Sequence, residues 1–262
     1  MKKTITIACT AQKGGCGKST TVMTMADYLS RKGKKTLVID LNEQGDISDT
    51  LGVITKTSGA GEVLKGKPIA ETARKSNLPN VDILTGAENL AELDRDITIT
   101  GRDKALILRK ALQKLGQVYD YVLIDAPGGF NTAFLNAIAT ADNIIIPATP
   151  DYYNLKGIKR LIANIRTIQQ TVNPGLRVDG ILLTRYQGRR NLSKNTIGVL
   201  QQLESELQTK LFNAKIRENS KIAEAPSYQK SVLTHAPGSI GADDYNEFMK
   251  EYFNLITGGK EA

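Results

Sequence analysis

The stretch that decides the fold is residues 13–20, which read Lys-Gly-Gly-Cys-Gly-Lys-Ser-Thr. An apolar, β-branched run precedes it, and an amphipathic helical pattern that ends at Gly33 follows it. Strand, glycine loop and helix in this order predict a phosphate-binding loop, because glycines let backbone N–H groups approach phosphate oxygens and a helix amino terminus adds partial positive charge. Six fixed positions have a chance frequency of about 10⁻⁷ per start site, so a chance glycine-rich turn is excluded.

The residues of this loop have separable expected roles. Lys18 is expected to reach the β- and γ-phosphates, the Ser19 hydroxyl to bind Mg²⁺, and Thr20 to lie near the α-phosphate. Gln12 stands where the standard pattern has its first glycine, and Lys13 is an additional lysine. The predicted nucleotide-binding residues of the loop are Lys13, Gly14, Gly15, Cys16, Gly17, Lys18, Ser19 and Thr20.

Short apolar runs alternate with longer helical patterns along the chain. This alternation predicts an α/β fold with a mostly parallel twisted sheet and helices on both faces, of the P-loop NTPase type. Strands are predicted at 4–9, 36–40, 81–84, 121–125, 143–147, 178–184 and 211–216. Beyond the helix after the first strand, helices are predicted at 102–115, 132–140, 155–170, 192–208 and 243–256.

Domain organisation is expected to be simple. No linker, low-complexity tract or repeat divides the sequence, so residues 1–262 are expected to form a single domain without an amino-terminal helix-turn-helix extension. Residues 50–80 have the least regular pattern and are expected to form a mobile excursion beside the edge of the sheet.

Charge is distributed unevenly along the chain. Residues 151–232 hold 14 Lys and Arg against 6 Asp and Glu, whereas the remainder holds 21 of each, so the whole net charge of +8 lies in this segment. Such an excess predicts a polyanionic partner, whether nucleic acid, nucleotide or anionic lipid.

The two cysteines and the single histidine argue against a disulfide framework and against catalysis by either residue type. Cys9 and Cys16 are too few and too close for a disulfide framework, which suits a reducing, cytosolic compartment. Cys16 fills a variable position without a nearby histidine base, and His235, the only histidine, is expected at the surface or in a loop. No run of 18 apolar residues and no signal-peptide pattern is present, so no segment is expected to cross a membrane.

Further segments resemble the deviant Walker ATPases, a family with ParA-type partition proteins and MinD-type cell-division regulators. Residues 36–45, TLVIDLNEQG, are similar to the family's second strand and first switch, and residues 119–129, YDYVLIDAPGG, to its Walker B strand and second switch. Residues 144–157, 185–194 and 219–241 resemble blocks of the partition proteins. Because the resemblance extends to the carboxyl-terminal blocks, it favours the ParA branch.

Two aspartates at predicted strand ends complete the phosphate site. Asp125 closes an apolar strand, so its carboxylate is expected at the carboxyl edge of the sheet beside Lys18, where it can hold the Mg²⁺ shell through water. The resemblance implies that Asp40 lies near the metal and the γ-phosphate, which gives Ser19, Asp40 and Asp125 as the metal set. It also implies that Lys13 reaches the partner subunit's phosphates in an ATP-bound homodimer.

The first switch departs from the family at a position that matters for hydrolysis. Asn42 aligns with an aspartate that orients the attacking water, and Glu43 aligns with a proline. An amide holds a water but cannot accept its proton, so weak basal hydrolysis is expected unless Glu43 or another group compensates. The expected catalytic residues are Lys13, Lys18, Asp40, Asn42 and Asp125.

The resemblance also implies residues for the nucleotide base and for DNA. Thr184 and Arg185 are expected on one lip of the adenine pocket, with Arg217 and Asn219 on the other, although Arg217 replaces a common proline. Nonspecific DNA contacts are expected where partition proteins place them, since clustered cations suffice for phosphate binding. These are Arg189, Arg190, Lys194 and Lys221; a merely solvated basic face is the alternative.

The leading hypothesis is a slow, Mg²⁺-dependent ATPase that dimerises on ATP and binds nucleoid DNA in the cytoplasm. It partitions plasmid or chromosomal DNA with a centromere-binding ParB-like partner.

The first alternative is a MinD-like membrane switch, which requires a basic amphipathic carboxyl-terminal helix. Residues 245–256 hold few cations and are expected to pack on the domain instead. An iron–sulfur electron carrier is excluded because no suitable cysteine pair is present. An ATP-gated DNA clamp with negligible hydrolysis is the third hypothesis.

Overall fold

Eight strands form the central sheet of the computed structural model, which describes residues 3–96, 101–187, 197–198, 200–201, 204 and 209–259. Their order is β3-β4-β2-β5-β1-β6-β7-β8. All neighbouring strands pair in parallel except β3, which runs antiparallel to β4 at the edge. The strands are β1 Ile5–Cys9, β2 Thr36–Asp40, β3 Arg74–Lys75, β4 Val81–Leu84, β5 Tyr121–Asp125, β6 Asn143–Ala148, β7 Arg177–Tyr186 and β8 Leu211–Arg217. The predicted mostly parallel α/β sheet is confirmed.

Helices connect the strands and cover both faces of the sheet. The first and last long helices are α1 Lys18–Arg31 and α12 Ile240–Thr257. Between them lie α2 Asp46–Thr50, α3 Gly59–Leu64, α4 Ile69–Thr72, α5 Leu93–Asp96, α6 Gly101–Ala105, α7 Ile107–Leu115, α8 Thr132–Thr140, α9 Tyr152–Thr171, α10 Ser220–Glu224 and α11 Val232–His235. Two 3₁₀ turns span Glu88–Glu92 and Ala225–Tyr228.

The core has one apolar layer on each face of the sheet. Along β2, Leu37 and Ile39 pack into the layer with α8 and α9, while Val38 packs into the layer with α1 and α12. Every residue of β2 and β5 is buried. Because helices cover both faces, these strands carry apolar runs without polar alternation, which explains why the sequence pattern located them.

Two local expectations differ from the structure. The predicted helix 102–115 is broken at Leu106, because the side-chain Oδ1 of Asn136 on α8 accepts the Leu108 N–H at 3.0 Å. Residues 50–80 contain more regular structure than expected, namely α3, α4 and β3, and β3 lies at the edge of the sheet as predicted for this region. Ser58 caps α3 and donates to the Thr85 carbonyl at 2.8 Å, which ties this region to the end of β4. Most of the predicted helix 192–208 lies outside the described residues.

Sheet register brings the carboxyl ends of three strands together. Asp125 at the end of β5 is aligned with Cys9 of β1 on one side and with Asp40 of β2 on the other. Ligands of open parallel sheets bind beyond the carboxyl ends of the strands, so this edge is the place where the loops after β1, β2 and β5 can form a common site.

Candidate functional site

The loop between β1 and α1 has the conformation that the glycine pattern predicts. Gly15 and Gly17 have φ angles of 73° and 80°, in the left-handed region that favours glycine. Gly17 caps α1 without a side-chain hydrogen bond, and the first turn of α1 contains no acidic residue. The amino-terminal N–H groups of this 14-residue helix are therefore suited to an anion.

Residues far along the chain brace this loop from behind. The Thr184 hydroxyl on β7 donates to the Cys16 carbonyl at 2.9 Å. The Thr21 hydroxyl donates to the Gly17 carbonyl at 2.7 Å and lies 3.3 Å from the hydroxyl of Tyr245 on α12. Thr184, predicted at the adenine pocket, thus touches the backbone of the phosphate loop.

The loop after β5 crosses directly over the phosphate loop. A Cβ at Gly128 would lie 2.2 Å from the Ala11 carbonyl oxygen and 2.9 Å from the Gln12 Cα, both of which are backbone atoms that cannot yield. The Thr10 hydroxyl also donates to the Pro127 carbonyl at 3.1 Å. Only glycine fits at this crossing, which holds the second switch against the phosphate loop.

Asp125 is a buried carboxylate with unused hydrogen-bonding capacity. Among the described residues, neither of its oxygens has a hydrogen-bond partner of normal geometry. Burial raises the pKa of Asp125 to about 7, and the Asp40 charge adds to this, while the nearby Ser19 hydroxyl and Lys18 ammonium partly offset it. A cation beside the carboxylate would compensate for its burial, so Asp125 and Ser19 fit the hard oxygen ligands that Mg²⁺ prefers.

Asp40 is equally buried but is already hydrogen-bonded within the first switch. It accepts hydrogen bonds from the Asn42 N–H at 3.0 Å, the Ser48 N–H at 3.2 Å and the Ser48 hydroxyl at 2.6 Å. The Ser48 hydroxyl in turn accepts from the Gly86 N–H at 2.9 Å. Burial raises the pKa of Asp40 to about 6 despite these bonds. Asp40 therefore fastens the residues after β2 to the loop after β4.

The side-chain amide of Asn42 points toward the end of β5. Its Nδ2 donates to the Asp125 carbonyl at 3.4 Å, and the Leu41 N–H donates to the same oxygen at 3.0 Å. An aspartate at 42 has no side-chain N–H for this bond. The departure from the family pattern thus comes with a contact that an amide makes and a carboxylate cannot.

Lys13 lies at the rim of the site. Its Nζ is 3.2 Å from Oδ2 of Asp151, which directly precedes α9, and its side chain is 54% exposed. This ammonium group is therefore next to the phosphate loop yet largely accessible to solvent, as a residue that contacts another molecule needs to be.

A cleft of about 840 Å³ lies between the phosphate loop, the first switch and residues 222–232. It contains seven of the predicted site residues, namely Gly14, Gly15, Gly17, Lys18, Ser19, Thr20 and Asn42. Sequence reasoning missed other lining residues, among them Met23, Asp46, Pro226 and Lys230. It also missed Ser48, whose role depends on the fold of the switch and has no local sequence signal.

None of the four residues predicted at the adenine pocket lines this cleft, and Thr184 lies behind the phosphate loop. Arg217 donates through Nε to both carboxylate oxygens of buried Asp244, at 3.1 and 3.0 Å, which raises the pKa of Arg217. Arg185 pairs with Glu218 at 2.8 Å, and Asn219 caps α10. They lie at the carboxyl ends of β7 and β8, and their contact with a base stays a prediction.

The basic residues predicted for DNA are only partly described. Arg189, Arg190 and Lys194 lie outside the described residues. Lys221 is exposed on α10 and pairs with Glu224 at 2.7 Å.

His235, expected at the surface or in a loop, lies in α11. Its ring stacks on Tyr228 at 4.6 Å and is mostly shielded from solvent.

Comparison with known proteins identifies the family. A family model described as an AAA domain matches residues 3–178. The chromosome-partitioning ATPase Soj of Thermus thermophilus is 37% identical over 249 residues, which cover 94% of both chains. The chromosome partitioning protein ParA of Caulobacter vibrioides is 31% identical over 250 residues, covering 94% of this chain and 92% of the relative. The chain belongs to the ParA/MinD-type P-loop family. This confirms the family that the sequence motifs predicted, and members of the ParA/MinD-type family are ATPases.

Solved structures agree with this fold. Cobyrinic acid a,c-diamide synthase from Mycobacterium smegmatis with bound ADP and magnesium matches with a TM-score of 0.82 at 24% identity, over 98% of this chain and 97% of that chain. A putative plasmid partition protein from Borrelia burgdorferi bound to AMPPNP matches with a TM-score of 0.77 at 22% identity, over 97% and 100%. Both of these structures hold a nucleotide and one of them also holds magnesium, which is consistent with the predicted cofactors ATP and Mg²⁺.

Within the part of the chain that the structure describes, no helix combines the length and apolar composition needed to span a membrane.

Proposed function

We propose that the chain is an ATP-dependent dimerising switch that binds DNA without sequence specificity and segregates plasmid or chromosomal DNA, with weak, partner-stimulated hydrolysis. The observation that carries this proposal is the half-exposed Lys13 at the rim of a phosphate loop that already contains Lys18. A second lysine is unnecessary for holding phosphates within one subunit but is well placed to meet those of another. The partitioning ATPases among the relatives support the same function.

Nucleotide binding rests on the phosphate loop and its surroundings. The backbone N–H groups of residues 14–19 and the amino terminus of α1 supply donors and partial positive charge for the phosphates. Lys18 lines the same cleft and adds a full charge. Thr184 and Tyr245 keep the loop in its binding shape, so little ordering is needed when ATP arrives.

The metal residues fit Mg²⁺ unequally. Ser19 and Asp125 would hold the ion or its water shell, and bound Mg²⁺ would neutralise charge on the β- and γ-phosphates. The Asp40 carboxylate is occupied by Asn42 and Ser48, so it orients the first switch beside the ion instead of serving as a free ligand.

Dimerisation follows from the position of Lys13. With ATP in the cleft, Lys13 of one subunit stabilises the negative charge on the phosphates of its partner, as an arginine finger does. ATP then lies between two subunits and holds them together. Hydrolysis weakens the contact by releasing the γ-phosphate, so nucleotide state controls assembly.

Slow turnover follows from Asn42. Its amide holds the Asp125 carbonyl and cannot take a proton from water, so the first switch lacks a strong base at this position. This favours a long-lived ATP-bound dimer whose hydrolysis is accelerated by a centromere-binding, ParB-like protein.

DNA binding is assigned to the basic segment 151–232, which holds the entire net charge of +8. Dimerisation doubles the cations on one assembly, and phosphate contacts need no base recognition. The proposed location is the cytoplasm, on the nucleoid.

A membrane-bound role is disfavoured by the packing of α12. Five apolar or aromatic side chains of this helix are buried against the domain: Tyr245, Phe248, Met249, Tyr252 and Phe253. Phe248 makes an edge contact with Phe212 of β8 at 5.1 Å, and Phe253 stacks on Tyr28 of α1 at 5.5 Å. The apolar face that a membrane would require is already used in the core, so we propose no stable membrane association.

Asn42 also supports a second candidate, an ATP-gated DNA clamp with negligible hydrolysis. Measuring ATP turnover with DNA separates the two, using wild type and Asn42→Asp. A low wild-type rate that the partner stimulates supports the switch, whereas a rate at background in wild type and a measurable one in Asn42→Asp supports the clamp. Rapid turnover without a partner contradicts both.

The main test is retention of the protein on nonspecific duplex DNA with ATP, ADP or no nucleotide across a salt series. Binding should require ATP and fall with salt by a log–log slope of about −0.9 for each phosphate contacted. Lys13→Gln should abolish ATP-dependent retention, while Lys110→Gln, a matched charge change on α7, should leave it intact. If retention is the same with ATP, with ADP and without nucleotide, the proposed switch is ruled out.

A further inference from the structure

Lys13 is held by an acidic residue of its own chain. Its Nζ lies 3.2 Å from Oδ2 of Asp151, 138 residues away in sequence. The side chains are 54% and 31% exposed, so the pair is at the rim and another charged group can reach it. Lys13 therefore already has an anionic partner before any nucleotide or second subunit is present.

The position of Asp151 is itself fixed by the fold. The Thr149 hydroxyl donates to the same Oδ2 at 2.6 Å, and the Asp151 N–H donates to the Thr149 carbonyl at 2.8 Å. A Cβ at Gly157 on α9 would lie 3.4 Å from the Gln12 side chain, so α9 packs beside the residue that precedes Lys13. The carboxylate is thus aimed at the lysine by the end of β6 and the start of α9.

We infer that Asp151 is a positioning residue that holds Lys13 within its own subunit. Lys13 is released only when the phosphates of the partner subunit's nucleotide compete with Asp151 for the ammonium group. This rests on the proposed dimer, in which Lys13 crosses to the partner. A triphosphate carries several negative charges and displaces one carboxylate more readily than a diphosphate does. The Lys13–Asp151 pair therefore raises the threshold for dimerisation and favours ATP over ADP.

Dimerisation measured against the concentration of a nonhydrolysable ATP analogue with Mg²⁺ tests this inference. An exposed ion pair is weak, so Asp151→Asn should strengthen dimerisation by roughly 3-fold for each of the two lysines. Asp151→Glu should restore wild-type behaviour. Thr149→Val keeps both charges but loses the orienting hydroxyl, and it should shift the threshold in the same direction as Asp151→Asn.

General charge repulsion predicts a different pattern. If Asp151 acted only as a negative charge near the phosphates, Thr149→Val would match wild type, and this result overturns the inference. An unchanged or higher threshold in Asp151→Asn also overturns it. Asp103→Asn is the matched control, because it removes an exposed pair with Lys110 at 2.7 Å and should have no effect.

A second readout separates this inference from the proposed function. The acylation rate of Lys13 in nucleotide-free protein, followed by mass spectrometry, should rise roughly 3-fold in Asp151→Asn and stay constant in Asp103→Asn. An unchanged rate means that the pair does not hold Lys13, and the inference is wrong. A raised rate, with dimerisation insensitive even to Lys13→Gln, shows a real pair and a failed dimer proposal.

Discussion

The ends of β2 and β5 present the same residue in two different environments. Asp40 and Asp125 are aligned in adjacent strands, and neither is accessible to solvent. Asp40 accepts three hydrogen bonds from Asn42 and Ser48, whereas Asp125 has none of normal geometry among the described residues. The two carboxylates are equally buried but differ in their hydrogen bonding, and they therefore have separate roles. Asp40 secures the first switch, and Asp125 is available to a cation.

Asp125→Asn gives the largest expected effect. It removes the carboxylate that fits the Mg²⁺ shell, so Mg²⁺-dependent affinity for an ATP analogue should fall about 10- to 100-fold. Calorimetric titration with and without Mg²⁺ measures this, and binding without Mg²⁺ should change little. If Asp40→Asn loses the Mg²⁺ effect and Asp125→Asn keeps it, the two roles are reversed.

Ser48→Ala tests the other aspartate. It removes one donor to Asp40 and the acceptor for the Gly86 N–H, so the free energy of unfolding of the nucleotide-free protein should fall by about 1–2 kcal/mol. Urea denaturation provides the measurement. Ser227→Ala, at an exposed position, should change stability by less than about 0.5 kcal/mol. Equal stability of the two variants would show that the Asp40 anchor contributes nothing.

The last expected effect is a pH dependence of the stability of the nucleotide-free protein. Burial raises the pKa of Asp125 to about 7, above the value near 3.8 of an unfolded aspartate. Between these values the folded state binds more protons, so stability falls as pH rises from about 4 to 7 and is level above. Thermal unfolding without Mg²⁺ should show a decline on the order of a few kcal/mol in wild type, and a smaller one in Asp125→Asn, where only Asp40 keeps a raised pKa. Parallel profiles would contradict the raised pKa.

Local patterns predicted what local chemistry determines. The phosphate loop was identified because its glycines, lysines and serine are adjacent in sequence, and seven strands were located because two-sided burial leaves continuous apolar runs. Strand β3 was missed because two residues, Arg74 and Lys75, carry no pattern. The break at Leu106 was missed because its cause, Asn136, lies on another helix.

Contacts between distant segments account for the rest of the site. The strict need for glycine at Gly128 comes from the Ala11 and Gln12 backbone, and the anchoring of Asp40 by Ser48 depends on the path of the first switch. The Lys13–Asp151 pair likewise joins two loops whose proximity only the sheet order creates. None of these has a signature in a short window of sequence.

The hydroxyls of Thr184 and Tyr245 behind the phosphate loop set a limit on how far this protein can be shortened. A fragment that stops before β7 would retain every side chain expected to touch a phosphate and yet lose the supports of the Cys16 and Gly17 region. The conformation of the phosphate loop therefore depends on contacts from β7 and from the final helix as well as on its own glycines.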